Sequence, residues 1–166
     1  MTTPTLSQAF NEHLAKELYS AYSYLAMAAY FEDANYPGFA KWMHAQAGEE
    51  FQHAMKFWTF IYDTGGKVTL LAIDQPRSDY SSPLDAFSQA LKSEQEVTAA
   101  INDLYAGAVE GKDYAAQAFL QWFVTEQVEE EKTASQIVET LEMAGDSATA
   151  ILLLDRELGS RDTAEA

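Results

Sequence analysis

The breaks in this sequence are few, and they leave segments too long for anything but helices. Four prolines and eight glycines occur in 166 residues, and they fall between stretches of helical periodicity. In the first stretch Leu6, Phe10, Leu14, Ala21, Leu25, Ala28 and Ala29 recur at three- and four-residue steps, which predicts a helix over about 5–33. Asn35-Tyr36-Pro37-Gly38 breaks it, and proline suits the first turn of the next helix, over about 37–63, which stops at Gly65-Gly66. Ser82-Pro83-Leu84-Asp85 supplies a cap, a first-turn proline and a first-turn acid for a third helix over about 83–110. A fourth follows over about 113–143, opened by Asp113. A short apolar fifth covers about 148–158, capped by Asp146 or Ser147.

Linker lengths set the topology. The first and second helices, and the third and fourth, are joined by short turns and so form antiparallel pairs. The 65–82 link is long enough to run back along the whole bundle, which makes the second and third helices parallel. The expected fold is therefore all-α: a single ferritin-like domain over 1–166, a four-helix bundle with one long crossover and a short fifth helix. Val68, Leu70, Leu71 and Ile73 predict a crossover packed against a neighbour.

Cysteine is absent, so any metal must be held by oxygen and imidazole nitrogen. Ten basic residues against 26 acidic ones give a net charge of −16. That balance disfavours nucleic acid, which needs lysine and arginine on its phosphates, and favours cations. No apolar run reaches membrane-spanning length, and the N-terminus lacks a basic segment followed by an apolar one. The expectation is a cytoplasmic protein that binds neither membrane nor nucleic acid.

Against this background Glu50-Phe51-Gln52-His53 carries chemistry. Residues three apart share a helical face, and Glu-x-x-His is the half-site from which dinuclear carboxylate bundles are assembled. Alone it is a weak signal, because Glu is common in helices. The other helices supply partners: Glu17 with Tyr24 on the first, Glu94 on the third, and Glu126, Gln127, Glu129 and Glu130 on the fourth. Glu17, Glu50 and Glu94 lie near the middles of their helices. Inward carboxylates at one height repel in a low-dielectric space unless a cation joins them. Glutamates with one histidine suit iron or manganese. Where a symmetric template repeats Glu-x-x-His, this chain reads Gln127-x-x-Glu130, so the two metal positions should be unequal. His13 and His44 read as ordinary hydrogen-bonded or surface histidines, and Trp122 and Phe123 as packing beside the site.

With these residues in place the chain resembles the prokaryotic non-haem ferritins along essentially its whole length. The resemblance implies a first iron position at Glu17, Glu50 and His53, and a second at Glu94 and Glu130 sharing Glu50. It implies a third at Glu49, Glu126 and Glu129 with Glu130, an electron-donating Tyr24, and Gln127 beside the second iron. It further implies two irons per chain with a third nearby, Fe(II) oxidation by dioxygen or peroxide, and ferric mineral stored in a homo-oligomeric cage of twenty-four chains. The fifth helix would line the four-fold axis. Phe51 replaces the haem-ligating Met of bacterioferritins, so no haem is expected. Gln117 and Leu120 stand where animal ferritins carry channel acids, and Gln52 and Met55 where they carry an inner acidic patch, which points to another route for iron. The competing reading is a dinuclear enzyme that stores nothing, which would form a small oligomer instead of a cage. A metal-free structural bundle would leave the inward carboxylates without a partner.

Overall fold

The computed structural model describes residues 4–161. Five helices follow one another: α1 (Pro4–Asp33), α2 (Pro37–Asp63), α3 (Pro83–Glu110), α4 (Tyr114–Ala144) and α5 (Ala148–Gly159). Their ends are chemically marked. Ser82 Oγ accepts from the Asp85 amide, Asp113 Oδ1 from the Ala116 amide, and Ser147 Oγ from the Ala150 amide. Each oxygen satisfies one of the amides that a helix start leaves unpaired. Asp113 is thus the cap and α4 begins one residue later. Not every glycine is a break, however: Gly48 and Gly107 lie inside α2 and α3.

Side-chain contacts fix the helix directions. Leu6, near the start of α1, reaches the end of α3 at Gly107, while Phe31 meets Phe87 at the opposite end, so α1 and α3 are antiparallel. Phe39 and Phe87 join the starts of α2 and α3, which therefore run parallel across the crossover. Phe57 meets Phe119 and Gln46 meets Glu130, which makes α2 and α4 antiparallel. This is the ferritin-like bundle. Among the described residues no helix is long and apolar enough to cross a membrane.

The core falls into two apolar clusters, one toward each end of the bundle. Phe31, Phe39, Met43, Phe87 and Leu141 centre one, and Phe10, Leu14, Phe57, Ile101 and Leu120 the other. Between them every long helix carries buried polar residues: Glu17 on α1, Glu50 and His53 on α2, Glu94 on α3, and Gln127 and Glu130 on α4. An apolar grip above and below thus holds a polar belt at mid-height, where the sequence placed its acids.

The start of α2 depends on α5. Tyr36 gives no side-chain cap; instead Asp155 Oδ1 accepts from the Phe39 amide at 2.8 Å. Gly38 makes this approach possible, since a Cβ there would overlap the Asp155 carbonyl, and one at Gly159 would stand 2.7 Å from Gly38 Cα. Gly38→Ala should therefore displace α5 and cost at least about 1–3 kcal/mol, as over-packing typically does. A melting temperature unchanged in that variant would contradict this docking.

Two apolar segments remain uncovered in the single chain. Val68 is half-buried against the Phe10 cluster, but Leu70, Leu71 and Ile73 are exposed in the single chain, so the packing expected for them is not supplied within the described residues. Leu25 is exposed too, and Leu152 and Leu153 of α5 are 48% and 60% exposed.

Candidate metal centre

The i, i+3 spacing on α2 turns Glu50 and His53 to one side, and α1 brings Glu17 against them. One ligand atom from each lies within 4.8 Å of the other two. All three residues are buried, and Glu17 Oε2, Glu50 Oε1 and His53 Nδ1 have no hydrogen-bond partner among the described residues. His53 Nδ1 stands 3.4 Å from Glu50 Oε2, too long for a good hydrogen bond. Buried polar atoms are seldom left unpartnered, because each then forfeits its hydration without compensation. Three residues so gathered, each with such an atom, form a ready donor set for a cation.

The protonation balance agrees. Burial pushes the Glu50 carboxyl up to about 8 against the pull of His53, and the charge of Glu17 adds to the rise. Burial likewise raises Glu17. Burial lowers the His53 imidazole, but the close Glu50 carboxylate, with Glu17 and Glu130, outweighs it and lifts it to about 9. Without metal the cluster holds protons at neutral pH; a cation takes their place.

Glu94 and Glu130 complete the belt, but their oxygens are engaged. Tyr24 donates its hydroxyl to Glu94 Oε1 at 2.5 Å, and Gln127 Nε2 donates to Glu94 Oε2 at 3.2 Å. Gln127 Nε2 also approaches the Glu94 carbonyl and Thr98 Oγ1. Glu130 Oε2 accepts from Gln46 Nε2 at 3.0 Å. Burial raises both carboxyls to about 8, helped by Glu50 and by each other's neighbourhood: Glu50 acts on Glu94, and Glu94 on Glu130. Burial, then the charge of Glu94, pushes Tyr24 well above its usual value, so its phenol stays protonated. The two halves of the belt are therefore unlike. One offers bare ligand atoms; the other is tied by neutral donors.

The outer acids are less gathered. Glu49 Oε1 is held by Arg161 Nη2 at 2.6 Å. Glu49 and Glu126 line one groove of about 900 Å³ between α2 and α4, together with His53, Lys56, Trp122 and Phe123. Glu129 is exposed. Trp122 and Phe123 pack edge-on to the His53 ring.

Three partners were not anticipated. His13, read as an ordinary histidine, is buried with Nε2 2.7 Å from Glu17 Oε1. Burial, then the charge of Lys16, lowers its pKa to about 3, so a neutral imidazole donates to Glu17 and orients it. Its i, i+4 spacing to Glu17 was the available signal. Gln46 and Arg161 had none, since their roles arise from α4 and from the chain after α5.

The ferritin-like domain family matches residues 7–144. A bacterial non-haem ferritin from Staphylococcus aureus (strain USA300) is 39% identical over 161 residues, 97% of each chain. Its counterpart from Staphylococcus haemolyticus is 38% identical over the same span. Among solved structures, the open-pore ferritin of the archaeon Archaeoglobus fulgidus superposes with a TM-score of 0.97 at 43% identity, covering 98% of this chain and 100% of that one. A closed form of the Archaeoglobus fulgidus ferritin, engineered by mutagenesis, gives 0.96 at 44%, covering 98% and 99%. A bundle with its crossover and fifth helix, a Glu-Glu-His cluster at its waist and similarity along nearly its full length place this chain in the ferritin family, among the non-haem ferritins of bacteria and archaea.

Proposed function

We propose that this ferritin oxidises Fe(II) at the mid-bundle centre and stores the ferric product as mineral inside a cytoplasmic cage of twenty-four chains. The observation that carries the reading is the trio of unpartnered, buried ligand atoms on Glu17, Glu50 and His53. Iron is the substrate. Glu17, Glu50 and His53 bind the first Fe(II); Glu94 and Glu130, with Glu50 shared, bind the second after exchanging their neutral donors for metal. Glu49, Glu126 and Glu129 lie outside this pair, with Glu49 held by Arg161. The protons displaced from the carboxyls leave as the cations enter. Dioxygen or peroxide accepts the electrons, and the chain contributes fixed ligand geometry in a site closed to bulk water. Gln127 positions Glu94. Tyr24, hydrogen-bonded to the same carboxyl, gives an electron to the centre. Phe51 offers no ligand for haem.

Assembly accounts for the uncovered apolar surface. Leu70, Leu71 and Ile73 of the crossover and Leu152 and Leu153 of α5 are large side chains left in water by the single chain, and such patches mark interaction sites. Contacts between chains would cover them.

The kinetic test is rapid mixing of metal-free protein with about two Fe(II) per chain in air. The expected result is a fast burst of ferric absorbance with matching dioxygen uptake. Oxidation no faster than that of free Fe(II) would overturn the reading.

A further inference from the structure

Arg161 lies just past α5, yet its side chain reaches α2 at Glu49 and Gln46, beside the metal centre. Its Nη2 donates to Glu49 Oε1 at 2.6 Å, and its Nη1 donates to Gln46 Oε1, also at 2.6 Å. The guanidinium sits over the Trp42 ring, 5.4 Å from the centroid. The fork is thus held on three sides: a carboxylate, an amide oxygen and an aromatic face. Charge-assisted bonds of this length are among the stronger contacts a protein makes.

The contact does two things. First, it places a fixed positive charge on Glu49, the acid next to Glu50, so a metal ion that used Glu49 would have to displace the guanidinium or bind against its charge. Second, it sets the orientation of Gln46. With the Gln46 oxygen turned to Arg161, the amide nitrogen must face the other way, and it donates to Glu130 Oε2 at 3.0 Å. An amide has one acceptor end and one donor end, so the guanidinium, through Gln46, aims a donor at Glu130. One of only ten basic residues in a chain of net charge −16 is committed to this junction.

We propose that Arg161 is a specificity-determining residue of the metal centre: by holding Glu49, and Glu130 through Gln46, it keeps a further cation out of the outer carboxylate position and restricts the centre to its inner ions. The proposal rests on the metal-centre reading above. It makes the segment after α5 the element that sets how many ions the centre holds. The geometry asks for arginine specifically, because lysine supplies the charge without a planar fork to bond two partners and stack on Trp42.

The test is calorimetric titration of the metal-free assembled protein with Zn(II), which binds without redox chemistry. Wild type should take up about two ions per chain in its tight class. Arg161→Gln should take up one more per chain, and Arg161→Gln combined with Glu49→Gln should return to the wild-type count. A merely structural role for Arg161 would not produce a gain that Glu49 controls. Glu49→Gln alone should leave the tight count unchanged, since Arg161 already occupies that carboxylate; this variant keeps the test open if Arg161→Gln fails to assemble. An unchanged count in Arg161→Gln, a gain that survives loss of Glu49, or a lost ion in Glu49→Gln alone would overturn the proposal. A wild type that binds no Zn(II) would overturn the metal-centre reading and this proposal with it. A wild type that already binds the further ion through Glu49 would overturn the role of Arg161 alone.

Discussion

Replacing Glu50 by Ala should slow the fast phase of Fe(II) oxidation by at least about 100-fold, more than the 10–100-fold that outer partners of a metal site typically contribute. Glu50 belongs to both halves of the belt. It meets Glu17 and His53 within one ligand cluster, and its charge acts on both Glu94 and Glu130. Removing it takes one ligand from the first ion and the shared carboxylate from the second. The fold should survive, because the lost carboxyl has an unpartnered oxygen and burial disfavours its charge. The two apolar clusters that clamp the belt remain intact. Stopped-flow absorbance at equal iron per chain, with a melting curve as control, separates lost chemistry from lost structure. Near-normal rates in a folded Glu50→Ala protein would contradict the assignment of the centre.

The metal-free protein should lose stability steadily from about pH 4.5 to pH 9, and Mn(II) should restore most of it. The sign follows from the carboxyls and from His53 together. Glu50, Glu94 and Glu130 are raised from 4.5 to about 8, chiefly by burial, and His53 from 6.5 to about 9 by its acidic neighbours. His13, lowered from 6.5 to about 3, opposes this below about pH 6.5 but is outnumbered by the three carboxyls. Within that window the folded chain therefore binds more protons than the unfolded one, and its stability falls as pH rises. For the carboxyls the stability present below about 4.5 is lost as pH climbs through about 8; for His53 the loss runs from about 6.5 to 9. One pKa unit corresponds to about 1.4 kcal/mol, but these four groups share their protons, so the combined effect falls well below the sum of four independent shifts, on the order of several kcal/mol. A cation that replaces the protons removes the repulsion, and it binds only the folded state. The melting temperature should therefore rise with Mn(II) by roughly 10 °C at pH 8, on the scale of 2–4 °C per kcal/mol. The rise at pH 5, where protons compete for the same oxygens, should be less than half as large. An equal rise at both pH values, or none at pH 8, would contradict a preformed cluster of protonated carboxyls.

Helix periodicity and capping chemistry made the bundle legible. Ser82-Pro83 and Asp113 are local signals, and local signals decide where helices start. The Glu50/His53 pair was legible for the same reason: a three-residue step fixes a shared face before any tertiary contact forms. What the sequence concealed depends on which helices meet. Gln46 is one of many helical glutamines until α4 brings Glu130 to it, and Arg161 is a terminal charge until α5 folds back onto α2. Asp155 shows the same limit, since an acid inside α5 gives no hint that it caps a different helix. The apolar crossover left its partner open, because apolar character says that a surface will be covered without saying by what. Leu70, Leu71 and Ile73 face outward in the single chain, where neighbouring subunits could meet them.

Storage itself is tested most directly by loading. Metal-free protein is given a large excess of Fe(II) in air, passed through a sizing column, and assayed for iron per chain in the protein peak. The account predicts tens of iron atoms per chain in a particle of cage size, far beyond what the ligands of a dinuclear centre hold. A plateau at about two or three per chain in a small oligomer would contradict it, and would identify a dinuclear enzyme on the same bundle.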